Sequence, residues 1–329
     1  MIITNLEKSF NENVNRLLES QHWQSSMHTQ SALRYYQERP LNEGKKVEER
    51  SFILIWENEP VIAFRGATVE TNGTIDLLAY EVPSISFENK VKLTTTAAKT
   101  FLKEFDRIMK KVNGDIWYRD FLMNGELSIL SRHLLRKGAK LIPVLSQVID
   151  LSQDKATLKQ QIRKSYNSLI NWGLRELNPK IFDSLNITWG EMDAFRQLHI
   201  REAGSKTRSK KSWQRQLEMV KAGEAFVAMG FLEEQLVTAG FFLHSKTNCY
   251  YGSSASRRDM FNKPLFHSLM WKGIQHAKKI GCCWFEVGEQ IYPNYPQEPL
   301  HSNKELGISE FKAGFGGKTR ILLDFKLSF

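Results

Sequence analysis

Between residues 225 and 254 three apolar runs follow one another almost without interruption, and this spacing constrains the fold more than any other feature of the chain. The runs cover 225–232, 236–244 and 249–254, separated only by Glu233-Glu234 and by residues 245–248. Strands joined so closely return on themselves, so the segment is expected to be an antiparallel meander. Gly240 interrupts the middle run, where glycine marks a bulge or a close backbone approach. A helix is expected next, from Pro264 to about Ile280, with Phe266, Leu269, Met270, Ile274 and Ala277 on one face and Gly281 just past its end. A buried strand at 282–287, a long loop at 288–301, a short helix at 303–313, the glycine-rich 314–317 and a last strand at 319–328 complete the order.

The residues before this block read as helices and strands of an ordinary α/β protein. Leu158, Ile162, Leu169 and Ile170 mark an amphipathic helix from Asp154 that is expected to end at Gly173, a natural C-terminal cap. Two more helices are expected at 189–203 and 212–222. In the first half, apolar runs at 51–57 and 61–68 flank the turn signal Asn58-Glu59-Pro60. Ala98, Phe101, Leu102, Phe105, Ile108 and Met109 then recur at helical spacing up to Asn113-Gly114, followed by a strand near 116–118, a helix near 126–136 and a strand at 141–151. A chain of 329 residues exceeds what one core usually holds. Two domains are therefore expected, 1–151 and 152–329.

Charge biases the partners rather than the fold. The formal net charge is +10, and a positive protein attracts polyanions. Arg201, Lys206, Arg208, Lys210, Lys211 and Arg215 crowd one window of the second half, with Arg163-Lys164, Arg257-Arg258 and Lys312, Lys318 and Arg320 as smaller groups. The cysteines, Cys249 and the neighbours Cys282 and Cys283, form no disulfide framework and no zinc pair. No stretch is apolar for long enough to cross a bilayer as a helix, and the first residues lack the layout of a signal peptide, so a cytoplasmic protein is expected.

Specific residues sharpen this outline. The segment Asn303-Lys304-Glu305-Leu306-Gly307-Ile308-Ser309-Glu310-Phe311-Lys312-Ala313-Gly314-Phe315-Gly316-Gly317 resembles the C-terminal signature of the Fem family, whose core is Phe-Lys followed by an aromatic-glycine pair. Tyr250-Tyr251-Gly252-Ser253 resembles that family's tyrosine-bearing central strand. Trp284-Phe285-Glu286-Val287-Gly288 resembles its strand ending in an acidic residue and glycine, and Ile162-Arg163-Lys164-Ser165-Tyr166 its basic helix. The resemblance covers roughly 154–329; the first half matches by element order alone. It implies an α/β (α+β) chain of two tandem GNAT-like domains, each a mixed, largely antiparallel sheet flanked by helices, with a degenerate first domain on the acceptor side and a catalytic second one. Fem enzymes transfer amino acids from aminoacyl-tRNA to peptidoglycan precursors. The long helical hairpin arm of some members is missing here, and nothing clearly matches a peptidoglycan-precursor pocket.

Acyl transfer to an amine needs a lost proton, a stabilised oxyanion and close reactants. By the resemblance, Lys312 is the candidate for the oxyanion. Tyr251, and next Tyr250, are candidates for a hydrogen bond to the donor ester or a proton relay; as strand neighbours they face opposite ways. Glu286 is a carboxylate at the end of an apolar strand, costly to bury unpaired. It is expected to take the amine's proton or to form a salt bridge to an arginine. Phe311, Phe315, Gly316 and Gly317 are candidates for donor contact, the glycines by letting backbone approach a ligand or by forming a turn. Arg163, Lys164, Arg208, Arg257 and Arg258 are candidates for phosphate or tRNA backbone. His199, sharing its helix with Glu202, is a further candidate base.

Hydrolase, zinc-protease and phosphate-loop motifs do not occur in the sequence. The glycine-rich loop that holds pyrophosphate in acetyl-coenzyme A enzymes of the GNAT fold is also missing, since 254–264 contains no glycine. The expected activity is transfer of an acyl or aminoacyl group to an amine of a cell-envelope precursor, peptidoglycan or amino sugar, carried by a nucleotide or a lipid. No metal, bound cofactor or DNA partner is expected. The donor is aminoacyl-tRNA, or an acyl thioester on coenzyme A or a carrier protein. A non-catalytic RNA-binding protein on the same fold is the third reading.

Overall fold

The computed structural model describes residues 1–122, 125–294 and 301–329, apart from the side chain of residue 42. In chain order the elements are β1 (Ile2–Thr4), α1 (Phe10–Leu18), α2 (Gln30–Asn42), β2 (Lys46–Glu49), β3 (Phe52–Trp56), β4 (Glu59–Arg65), β5 (Ala67–Thr71), β6 (Thr74–Leu78), β7 (Ile85–Glu88), α3 (Thr95–Met109), β8 (Asp115–Phe121), α4 (Ile129–Arg136) and β9 (Lys140–Asp150). There follow α5 (Lys155–Gln160), α6 (Tyr166–Glu176), β10 (Lys180–Phe182), α7 (Trp189–Ala203), α8 (Lys210–Lys221), β11 (Ala225–Leu232), β12 (Gln235–His244), β13 (Asn248–Ser256), α9 (His267–Lys279), β14 (Trp284–Glu289), α10 (Asn303–Ala313) and β15 (Lys318–Ser328). Of the loop expected at 288–301, residues 295–300 lie outside the described residues.

The chain forms two compact units, and they are not a simple cut at 151/152. One comprises Met1–Gln24, Tyr36–Val144 and Ile321–Phe329, the other Ser25–Tyr35 and Leu145–Arg320. The cause is pairing between residues far apart in sequence: Leu322–Ser328 run antiparallel to Asp115–Phe121, which no local pattern discloses. In this first unit Phe52, Phe64, Phe101 and Phe105 build the core with Phe325 and Leu327. Arg119 and Asp324, opposite each other in register, join through Nε–Oδ1 at 2.6 Å and Nη2–Oδ2 at 2.7 Å.

In the second unit the expected meander is present: β11, β12 and β13 are successive antiparallel neighbours. β14 adds parallel to β13, and β9 antiparallel to β14. Phe226, Phe242, Cys249, Phe285 and Val287 face Leu158, Ile170, Leu269 and Ile274 in one core, which is why alternate strand residues and one stripe of α6 and α9 are apolar. The helix expected from Asp154 to Gly173 is two helices instead, α5 capped by Asp154, then α6 after residues 161–165. Gly173 is no cap. It lies inside α6, where a Cβ would sit 2.4 Å from Ser268 Oγ, so it lets α6 and α9 approach closely. Gly240 likewise marks a close approach, to the Phe266 ring at 2.6 Å. The bulge falls at Phe241/Phe242, leaving Gly252 as the extra residue of β13.

Candidate active site

β13 and β14 are hydrogen-bonded only from Asn248–Tyr250 to Trp284–Glu286; among the described residues their continuations, to Ser256 and Glu289, do not pair with each other. A cleft of about 640 Å3 borders β13, and none of its described lining residues belongs to β14. Tyr251, Ser254 and Ser256 of β13 line it, with His199 and Glu202 of α7, Pro264–His267 at the start of α9, and Lys304, Ile308 and Phe311 of α10. The start of α9 thus borders the cleft, and a helix N-terminus attracts anions.

Two of the motifs meet at the end of β14. Glu286 pairs in register with Val148 and Gly288 with Gln147, so Val287 is a bulged residue between them. Gly288 has φ +117, and a Cβ there would sit 2.9 Å from the ammonium of Lys312. The last turn of α10 therefore lays Lys312 across a backbone that only glycine leaves bare. Burial pushes the Lys312 amine below its usual range, and Glu289 and Glu286 pull it partly back. Glu286 is 8% exposed and accepts hydrogen bonds from Ser146 Oγ at 2.7 Å and Asn248 Nδ2 at 3.5 Å. Both of these partners are neutral side chains, and Lys312 is a cation coupled to Glu286.

The two tyrosines part company, as strand neighbours must. Tyr250 stands opposite Glu286 in the parallel register. Tyr251 packs at 5.4 Å on Phe266 and 5.7 Å on Phe242, shares a hydrogen bond of 2.5 Å with Ser254 Oγ and lines the cleft. Burial raises its phenol to about 12, so it is a hydrogen-bond donor and not a base at neutral pH. Phe311 reaches the cleft, whereas Phe315 is buried in the core.

Gly316 and Gly317 both adopt φ +86, and where their Cβ atoms would stand are the Gln161 carbonyl at 2.8 Å and the Val148 carbonyl at 2.5 Å. The backbone they let approach is thus the chain's own. Gln147 Nε2 also donates to Gly316 O at 2.7 Å. The arginines divide as well. Arg163 covers the Tyr166 ring and reaches Glu310 at 3.4 Å, and Arg257 is ion-paired with Asp259, so both already serve carboxylates of this chain. Lys164 is exposed before α6. Arg208 lies over Trp213 and donates to Ser253 Oγ at 3.4 Å, and Arg258 lines the cleft. His199 stands edge-on to Trp213 with its basicity lowered by burial and by Arg208.

His267, which the sequence does not single out, also belongs to the cleft wall. Its ring is edge-on to Tyr166 at 4.6 Å and to Phe311 at 5.1 Å, and it lines the cleft. Burial lowers its pKa to about 4, with the Pro264 carbonyl working the other way, so the imidazole is neutral at physiological pH. Tyr166 Oη also donates to Phe311 O at 3.4 Å. A signal was available: His267 shares the apolar stripe of α9 with Met270 and Ile274.

No protein-family model matches the sequence, and no curated protein does either. Solved structures do. FemX superposes with a TM-score of 0.73 over 98% of this chain and 96% of its own, at 10% identity. L-PGS from Bacillus licheniformis gives 0.58 over 95% and 90% at 13% identity. A tandem GNAT protein from the clavulanic acid biosynthesis pathway gives 0.56 over 100% and 98% at 10% identity. The chain therefore has the two-domain GNAT-like fold, and the resemblance to the Fem family holds at the level of fold.

Proposed function

We propose that the chain is a cytoplasmic Fem-like transferase that moves an acyl or aminoacyl group from a donor in the second unit's cleft to an amine of a cell-envelope precursor, a peptidoglycan or amino-sugar intermediate. The observation that carries this reading is Lys312, laid over the bare backbone of Gly288 beside Glu286. A cation held in a water-poor place stabilises the oxyanion that forms when an amine attacks an ester carbonyl. Glu286 is placed to receive the amine's proton, either directly or through Tyr250 opposite it. Tyr251 would donate to the donor from inside the cleft, and Phe311 would pack against it. The cleft residues Arg258, Lys263 and Lys304 favour a phosphate-bearing donor, which we take to be aminoacyl-tRNA. No helix of the described residues is long and apolar enough to cross a membrane.

The thioester reading keeps one supporting observation, the start of α9 at the cleft wall, where backbone N–H groups attract a pyrophosphate. Titrating the protein with bulk aminoacyl-tRNA in rising salt, with coenzyme A as competitor, separates the two. Salt-sensitive binding that coenzyme A does not displace supports the tRNA donor. Displacement, or coenzyme A binding alone, transfers the site to the thioester. Lys312→Ala should lower transfer about 100- to 1000-fold and spare donor binding. tRNA binding without transfer to any amine would instead favour the non-catalytic RNA-binding reading.

A further inference from the structure

Phe261 is 67% exposed at the mouth of the cleft, although the turn that carries it is firmly held. Its N–H donates to Arg258 O at 3.2 Å, Lys263 N–H to Met260 O at 2.9 Å, and Arg258 N–H to Glu202 Oε2 at 2.9 Å. Met260 meanwhile packs against the small apolar cluster of Leu177, Val237 and Leu265. The ring is thus presented to solvent by a fixed backbone and does not serve local packing. Arg258 and Lys263 flank it, and Lys304 lines the cleft from α10 together with Ile308, itself 45% exposed. Among the described lining residues the single carboxylate is Glu202, which is ion-paired with Arg201 at 2.8 Å. Further in, the walls are again flat rings: Tyr251, Phe266, His267 and Phe311.

An exposed flat ring beside cations, leading to more rings, fits an unpaired strand whose bases stack while its phosphates meet arginine and lysine. A bilayer surface also wants apolar side chains among cations, but on a protruding amphipathic edge; Phe261 lines a concave wall. Because 254–264 lacks glycine, the approach to α9 offers long charged side chains in place of a bare amide cradle, which suits spread phosphates better than one compact pyrophosphate. We infer that Phe261 is a stacking platform for an unpaired nucleotide at the single-stranded end of an RNA donor, with Arg258, Lys263 and Lys304 neutralising its phosphates. This rests on the proposal that the cleft holds the donor.

The test is fluorescence anisotropy with a short labelled oligoribonucleotide, comparing the full chain with Phe261→Ala, Phe261→Leu and Phe261→Trp after thermal melts show all four folded. Phe261→Ala and Phe261→Leu should each weaken binding about ten- to hundredfold, the range of one base–aromatic stack, while Phe261→Trp keeps it. Replacing Arg258, Lys263 and Lys304 by Gln together should lower the salt slope by about 2, at roughly 0.7 per single-strand phosphate. Unchanged binding of Phe261→Ala, or full binding by Phe261→Leu, overturns the platform and leaves the donor reading standing. Failure of the unaltered protein to bind any oligoribonucleotide overturns both. If coenzyme A displaces the oligonucleotide and depends on Phe261 in the same way, the nucleotide belongs to a thioester donor and the RNA assignment falls. Loss of anionic-vesicle binding in Phe261→Ala, without RNA binding by the parent, would give the surface to a membrane and refute the proposal.

Discussion

Gly288→Ala puts the arrangement around Lys312 to its hardest test. The residue sits at φ +117, and the new methyl would stand 2.9 Å from Lys312 Nζ and 3.4 Å from Cε. Holding an alanine in that backbone conformation costs about 1–3 kcal/mol. The collision itself adds little to stability, because the struck atom is the tip of a flexible side chain that can swing aside. That movement is the functional cost: displacing one charge from a developing oxyanion is worth about 100- to 1000-fold in turnover. Urea unfolding should therefore show a loss of about 1–3 kcal/mol, and transfer from the donor to an amine should fall about a hundredfold with donor affinity nearly unchanged. Made in a Lys312→Ala background, the same substitution should cost the same stability and no further activity, since only the lysine links it to chemistry. Two results refute this reasoning. Gly288→Ala could keep full transfer where Lys312→Ala falls to background, or it could lower the residual transfer of Lys312→Ala as many-fold as that of the parent.

Lys312→Met should melt at or above the parent at neutral pH while losing transfer. The amine's pKa is lower folded than unfolded, so the unfolded chain binds more protons across that window and stability rises with pH through it; a variant that never charges escapes the penalty at lower pH, and a clear drop in Tm would contradict it. For His267, lowered to about 4 from an ordinary 6.5, stability should fall as pH drops from 6.5 toward 4, by at most about 3 kcal/mol and less after solvent screening. His267→Phe should remove that part of the slope in unfolding curves taken across the range, and an identical slope would show that the imidazole is freely solvated. Gly317→Ala should destabilise by about 2–4 kcal/mol, from φ +86 and a methyl 2.5 Å from the Val148 carbonyl, which cannot yield as a side-chain tip does. Gly204→Ala, at φ +73 with nothing within 4 Å, should cost about 1 kcal/mol; equal losses would mean that the approach of Gly317 to Val148 does not matter.

What the sequence disclosed and what it hid follow one division. The meander β11–β13, α9, β14, α10 and β15 were legible because each has its own period, punctuation or cap, all local in sequence. The exchange that gives Ile321–Phe329 to the first unit was not, because register between β15 and β8 is a property of two distant segments. The break between α5 and α6 was hidden for a related reason. Leu158, Ile162, Leu169 and Ile170 keep a helical period across it, but Gly314 O takes the Arg163 N–H at 2.8 Å, so a partner from far along the chain replaces a helical bond. Gly173 reads as punctuation because a glycine that ends a helix and one that admits a neighbouring helix look identical in one sequence.

The candidate site shows the same limit from another side. Tyr250 and Tyr251 are adjacent in sequence, as are Phe311 and Lys312, and each pair reads naturally as one functional patch. A strand turns successive side chains to opposite faces and a helix turns them by about 100°. Hence Phe311 and Tyr251 line the cleft, while Lys312 lies over Gly288 and Tyr250 stands in register with Glu286. A motif of this kind supplies one residue to hold the donor and its neighbour to act on the bond being broken. Its members should therefore separate kinetically: Phe311→Ala and Tyr251→Phe should raise KM for the donor, whereas Lys312→Ala and Tyr250→Phe should lower kcat. Were the members of each pair to affect the same constant, the cleft and the Lys312–Glu286 locus would be one compartment, and the division drawn from the alternation of side chains would be wrong.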